Sequence, residues 1–366
     1  VDVEALRAQI KPPEDPEAAA LVDAIRDELG RTSVYKHAGK FREGVALARD
    51  LRQRAQAVDY PPLLSRALLA EGDLEMELGE HEAAARDLHA SMLLALEVGD
   101  AEIASEAIAK WFYVTGAQLG RADEVAPLEP LVLALARRQR ERSSIPALAY
   151  NNVGAVHYRA GDLQGAQDGF RAALEIWESL DEPNPLEVAA TLNNLGVTLS
   201  DREQHERSAQ HLTRALAMIE LEVGEQHPNL AFPLFGLAHA ELELGRLDDA
   251  ELKFRRAIAL LERDQGPDAF PLVYPLSGLG QLALRRGEHG AAREAFVRAL
   301  AIWGARDVID RDKGDALCGY AAALRSTGEV TEASEAEGEA ARLFTAVPQP
   351  GAPARCPHLE TAAPQP

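Results

Sequence analysis

Aromatic residues make up only 5% of this 366-residue chain, cysteine occurs twice, and no stretch approaches the length and apolarity of a membrane span. Each shortage excludes something. With few aromatics and little Val, Ile or Thr, the composition disfavours sheet, while abundant Ala, Leu, Glu and Arg favour helix. Cys318, inside a helical pattern, and Cys356, in a Pro-rich end, are too far apart for a metal-ligand motif or a dense disulfide framework, which fits a reducing compartment. The N-terminus (VDVEALRAQI) has no basic-then-apolar leader, so the expectation is a cytoplasmic chain with no direct membrane insertion. It also lacks an initiator Met, and the sequence reads as an excised or processed part of something longer.

Positive charge is scarce as well. The 59 acidic side chains outnumber 38 basic ones for a net charge of -21, a surface that repels a phosphate backbone and excludes nucleic acid as an expected partner. Asp and Glu are interspersed with Arg along helical patterns, so solubility explains most of the excess.

What the sequence does contain is a repeat. Four segments align without gaps: AYNNVGAVHYRAGDLQGAQDGFRAALEIW from Ala149, TLNNLGVTLSDREQHERSAQHLTRALAMI from Thr191, PLFGLAHAELELGRLDDAELKFRRAIALL from Pro233 and PLSGLGQLALRRGEHGAAREAFVRALAIW from Pro275, each start 42 residues after the last. Apolar Val153, Leu195, Leu237 and Leu279 are each followed by a small residue, Gly154, Gly196, Ala238 or Gly280. Glycine inside a helix costs about 1 kcal/mol relative to Ala, so a column of it implies another helix packed too close for a side chain. A turn follows at Gly161, Gly245 and Gly287, with Glu203 as the departure. The second segment then places Ala166, Ser208, Ala250 and Ala292, next Phe170, Leu212, Phe254 and Phe296, then Ala173, Ala215, Ala257 and Ala299 on one helical face. Each repeat is therefore read as two antiparallel helices.

This small, Gly, Ala, Phe, Ala spacing resembles the tetratricopeptide repeat, and the 42-residue period with LNNLG and GEQHPN resembles its kinesin-light-chain variety. The resemblance implies an all-α, right-handed superhelical solenoid of about eight antiparallel hairpins. Residues 1–17 are read as an N-terminal helix and linker, 18–146 as irregular hairpins, 147–304 as the regular array, 305–346 as a terminal hairpin with a capping helix, and 347–366 as a disordered Pro-rich tail. Around Tyr113 to Val125 the pattern is poor, and Pro127 and Pro130 predict a distorted hairpin.

Stacked hairpins leave their first helices lining a concave face, suited to a peptide or partner segment. The positions away from the packing edge select Asn151, Ala155, Tyr158 and Arg159 in one repeat and Asn193, Val197, Ser200 and Asp201 in the next, and Asn152 and Asn194 join them as the second members of two doubled asparagines. The following two contribute Phe232, Phe235 and His239, then Tyr274, Gln281 and Arg285. An Asn amide both donates and accepts, so it can pair with a bound backbone regardless of sequence, or else bond its own or the neighbouring repeat. The aromatics fit either an apolar pocket or the core.

Signs of catalysis are weak throughout. Gly278-Leu279-Gly280-Gln281-Leu282-Ala283 matches a dinucleotide fingerprint in letters, but no strand precedes it and the neighbouring repeats read FGLAHA and NNLGVT in the same register. His81 and His89 lack the spacing of a zinc helix, and no phosphate loop or nucleophile elbow occurs. The expectation is a non-enzyme without cofactor or metal. First comes a protein-interaction scaffold of undetermined oligomeric state. The alternative is the sensory region of a large bacterial serine/threonine kinase, which the N-terminal half followed by these repeats resembles; least favoured is a stand-alone enzyme.

Overall fold

The computed structural model describes residues 13–139, 143–305 and 311–346, together with Cys356. Two compact units divide the chain, Val1–Pro183 and Asn184–Pro366. The expected N-terminal helix before residue 13 and the expected disordered tail lie outside the described residues, Cys356 excepted.

In the first unit, α1 (Pro16–His37) pairs with α2 (Phe41–Val58), and α3 (Pro61–Leu78) with α4 (His81–Val98). Proline opens α1 and α3, where its missing N–H costs no hydrogen bond. The third hairpin is distorted. Its first helix, α5 (Ala101–Tyr113), runs into a π-helical turn at Val114–Gln118, and its second is broken into α6 (Ala122–Val125), a 3-10 turn at Ala126–Leu128 and α7 (Glu129–Arg137). Pro127 and Pro130 each fall at the start of one of these pieces, which is where proline is tolerated. Regular geometry returns with α8 (Ile145–Arg159) and α9 (Leu163–Ser179), whose N-cap Asp162 accepts from the Gly165 N–H at 2.9 Å.

A charged cluster links the early hairpins. Asp73 on α3 takes Lys110 of α5 at 2.6 Å and Lys36 of α1 at 3.0 Å. Lys110 also reaches Glu106 at 2.8 Å, and Lys36 reaches Glu77 at 3.1 Å.

The second unit is four hairpins: α10 (Pro185–Asp201) with α11 (His205–Val223), α12 (Ala231–Glu243) with α13 (Leu247–Gln265), α14 (Val273–Arg285) with α15 (His289–Gly304), and α16 (Arg311–Thr327) with α17 (Val330–Ala346). The helix through Ala340 and Phe344 is the second half of α17 and not a separate cap. Each first helix touches the next first helix, and each second helix packs against the first helix that follows it.

The large side chain of every second helix is what sets this spacing. A Cβ on Gly280 would stand 2.7 Å from the ring of Phe296 in its own hairpin, and one on Gly278 would stand 2.3 Å from the ring of Phe254 in the preceding hairpin. The sequence GLG thus gives one helix two close approaches, one on each side. Gly196 meets Leu212 at 2.6 Å and Gly319 meets Phe296 at 2.3 Å in the same manner. Phe254 and Phe296 are 1% and 0% exposed, held between hairpins.

Turns follow the columns too. Gly161, Gly245 and Gly287 have φ of 81°, 76° and 75°, and Glu203 takes the same left-handed conformation at φ 59° without the freedom of glycine.

One expectation is overturned. Cys318 and Cys356 are joined in a disulfide, with their Cα atoms 5.2 Å apart. Their separation of 38 residues gives no framework signal, and the pairing is between two cysteines far apart in sequence. The reading of two separate thiols, and the reducing compartment inferred from it, lose their basis.

Candidate ligand-binding face

Within the second unit, the residues selected on α10, α12 and α14 come together on the first-helix layer. Spacings of three, four and seven residues place Asn193, Val197 and Ser200 on one face of α10, and Phe232, Phe235 and His239 on one face of α12. Across the hairpins these faces meet. The Phe235 and Tyr274 rings stack with centroids 5.6 Å apart and planes 12° from parallel, and Phe232 abuts Phe235 edge-on at 6.2 Å. Phe270, from the 3-10 turn Phe270–Leu272 ahead of α14, abuts Tyr274 edge-on at 6.4 Å. This aromatic row is open at one end, with Phe232 42% exposed, while Phe235 also packs on the core around Phe254 and Leu242.

Beside the row lies a polar group. Ser200 Oγ is 3.4 Å from His239 Nδ1 and 3.5 Å from His205 Nδ1, the long end of hydrogen bonding. Burial pushes the His239 imidazole below its ordinary range against the pull of Glu243 and Asp201, which favours the neutral ring with one donor and one acceptor nitrogen. Burial also resists ionisation of Glu243, but the Arg285 guanidinium outweighs it and holds that carboxyl below the usual range. Arg285 is committed to this neighbour: it donates to Glu243 Oε1 at 2.5 Å and to the Leu242 carbonyl at 2.7 Å, clamping α14 to α12. Gln281 is half-buried on the same helix.

Asn193 carries the most telling atom. Its Oδ1 is buried and has no hydrogen-bond partner among the described residues, although the residue as a whole is only partly covered. A buried unpaired amide oxygen costs about 1–3 kcal/mol. Asn194 is also half-buried and already engaged.

The selected residues of the first unit sit on α8 and are placed differently. Asn152 is 4% exposed and donates from Nδ2 to the Ala109 carbonyl of α5 at 3.0 Å. Its amide therefore serves the neighbouring hairpin and is unavailable to a ligand, the second of the two roles open to it from sequence. Asn151 Nδ2 contacts Asn152 Oδ1 at 3.4 Å, Tyr158 is half-buried, and Arg159 is exposed.

Two contributors escaped the sequence reading. His205 starts a second helix, and Phe270 lies in a linker; selection by first-helix periodicity passes over both. The signal for Phe270 was local, an aromatic in the DAFPLVY turn directly preceding a lining helix.

Among the described residues, one group has the spacing to hold a metal ion: Glu71, Glu75 and Asp87, with ligand atoms all within 4.8 Å. Its counter-charge comes from the protein. Arg49 pairs with Glu71 at 3.0 Å and Glu75 at 3.2 Å, and Arg52 pairs with Glu71 at 2.5 Å. No described helix is long and apolar enough to cross a membrane.

Residues 146–220 and 187–263 match the family model of the tetratricopeptide repeat. No curated protein matches the chain in sequence. Among solved structures, the chain is similar to a Rap protein complexed with competence and sporulation factor, with a TM-score of 0.57 and 15% identity over 89% of this chain and 93% of that one. It is similar to the apo form of RapI, with a TM-score of 0.57 and 13% identity over 88% and 87% of the two chains. Aspartyl phosphate phosphatase F from Bacillus subtilis is a further neighbour, with a TM-score of 0.53 and 15% identity over 88% and 94%. At these identities the likeness is one of fold.

Proposed function

We propose that this chain, which carries tetratricopeptide repeats, is a protein-interaction scaffold that holds a peptide or an extended partner segment on the first-helix face of its second unit. The observation that carries the reading is the aromatic row on the first-helix layer, which ends in an exposed ring, with the half-buried Asn193 on the same layer. The Asn193 amide both donates and accepts and so suits a polypeptide backbone, and the row Phe232, Phe235, Tyr274 asks for an apolar side chain on the same ligand. Together they fit a polypeptide better than a small polar metabolite.

The face is built for binding and not for turnover. Its serine is at long contact distance from both histidines, its arginine is spent on Glu243, and nothing positions a nucleophile against a base. One neighbour of the same fold, the Rap protein, is seen complexed with competence and sporulation factor, which supports a ligand-holding role for this architecture.

The test is selection of a displayed library of random 12-residue peptides on the full chain, followed by titration of the enriched peptides. Asn193→Ala is expected to weaken binding about tenfold with helicity unchanged, as loss of one well-placed hydrogen bond implies. Enriched peptides that bind the variant as tightly as the parent would refute the assignment.

A further inference from the structure

Cys318 occupies a repeat position that, in the preceding hairpins, belongs to the binding face. Contacts fix the register: Gly236 faces Leu212 at 3.4 Å, Gly278 faces Phe254 at 2.3 Å and Gly319 faces Phe296 at 2.3 Å, each measured from an added Cβ to the large side chain of the preceding second helix. The residues immediately before these glycines are Phe235, Ser277 and Cys318. Phe235 stands in the aromatic row, and Ser277 is half-buried on α14. Cys318 is the equivalent on α16, and there the position is covered. Its sulfur is bonded to Cys356, and the two residues are 5% and 1% exposed.

We propose that Cys356 is a covalently tethered occupant of the face, fixed on α16 by the disulfide and released by thiol–disulfide exchange, so that redox state gates the C-terminal end of the binding surface. The proposal rests on the reading of the first-helix layer as a binding face. The chemistry needs a dithiol reductant. One of its thiolates attacks a disulfide sulfur, the S–S bond breaks and a mixed disulfide forms; the second thiolate then displaces the protein sulfur, and the reductant leaves as a disulfide. Two electrons and two protons end on Cys318 and Cys356. Transfer from an oxidised disulfide-bearing partner reverses the step, and an oxidising compartment holds the tethered form.

The competing account is a plain staple for the last hairpin. The core between α16 and α17 contains Leu324, Ala333, Ala340 and Phe344 as well as the two cysteines. If Cys318 points into that core, removing its partner leaves it shielded; if it points along the binding face, removing its partner bares it.

The experiment uses the full chain and no peptide ligand, so its failure is separate from failure of the peptide reading. Prepared without reductant, the wild type is expected to be two hydrogens lighter than its reduced form and inert to iodoacetamide. In Cys356→Ser, with the helical circular dichroism signal retained, Cys318 is expected to alkylate within about tenfold of its rate in denaturant. Wild type reduced without denaturant should take up two equivalents. Free thiols in the unreduced wild type, a Cys318 that stays about a hundredfold protected in the folded variant, or loss of helical signal in both the variant and the reduced wild type would each overturn the proposal.

Discussion

The ring of Phe254 fills the space that a Cβ on Gly278 would need, its nearest carbons 2.3 Å from that point. The two residues belong to successive hairpins, α13 and α14. This approach brings the first helices close enough for Phe235 and Tyr274 to stack across the same pair of hairpins, 5.6 Å apart. Gly278 and Tyr274 lie four residues apart on one side of α14, so the close packing at Phe254 sets the spacing at which the rings stack.

Gly278→Ala is expected to destabilise the protein despite the better helix propensity of alanine. Overpacking costs about 1–3 kcal/mol, and here the intruding atom meets a ring confined between hairpins, so the clash outweighs a propensity gain of about 1 kcal/mol. Gly338 on α17 is exposed with nothing within 4 Å of its missing Cβ. Gly338→Ala should stabilise by up to about 1 kcal/mol. Thermal melts of both variants read the opposite signs.

Glu203→Gly should raise stability. Glu203 holds a left-handed φ of 59° at a turn where three aligned repeats have glycine. Relief of about 1–2 kcal/mol of backbone strain is partly offset by the larger unfolded-state entropy of glycine, leaving a gain of about 0.5–1 kcal/mol. Urea unfolding measures it.

Asp73→Ala should be among the most damaging surface-remote changes in the first unit. It removes the carboxylate shared by Lys110, whose side chain is 11% exposed, and Lys36, leaving them only the more exposed Glu106 and Glu77. Breaking a largely buried pair by removing one partner costs about 3 kcal/mol or more. The same unfolding experiment is decisive, and a loss under about 1 kcal/mol, the range of an exposed ion pair, would contradict it.

Stability should also fall between mildly acidic and neutral pH through Glu75. Burial, reinforced by the facing Asp87 and Glu71 carboxylates and opposed by Arg49, pushes its carboxyl up to about 7. Because the folded pKa is raised above its unpaired value, the folded state binds the extra proton. The contribution of this group is therefore full below about pH 4.5 and is lost as pH rises through about 7. Glu75→Gln, which removes the charge, should be more stable than wild type at pH 8 by about 1 kcal/mol or more and lose that advantage at pH 5. Equal differences at the two pH values would refute the assignment.

How much of this was legible before the structure varies by residue. The Gly, Phe and turn columns gave the hairpins and their close approach, because a glycine column inside a helix has few other physical causes. Phe232, Phe235 and Tyr274 were found by periodicity, yet their stacking depends on the offset between α12 and α14, which no single-helix pattern contains. The doubled asparagines split: Asn193 has an unpaired Oδ1, while Asn152 bonds the Ala109 carbonyl. Asn193 aligns with Asn151 and Asn152 with Asn194, so the two that split stand one residue apart in the repeat and turn to different neighbours. The Cys318 to Cys356 bond was invisible because two cysteines 38 residues apart carry no spacing signal of their own.

The most direct test of the central claim is site-specific crosslinking of a selected peptide. A photoreactive p-benzoylphenylalanine would replace Phe232, at the exposed end of the aromatic row, or Leu221, which is 90% exposed on the second helix α11. Binding on the first-helix face predicts that the peptide is captured from position 232 and not from position 221, and that Asn193→Ala diminishes the capture. Efficient capture from position 221, or none from 232 under saturating peptide, would contradict it.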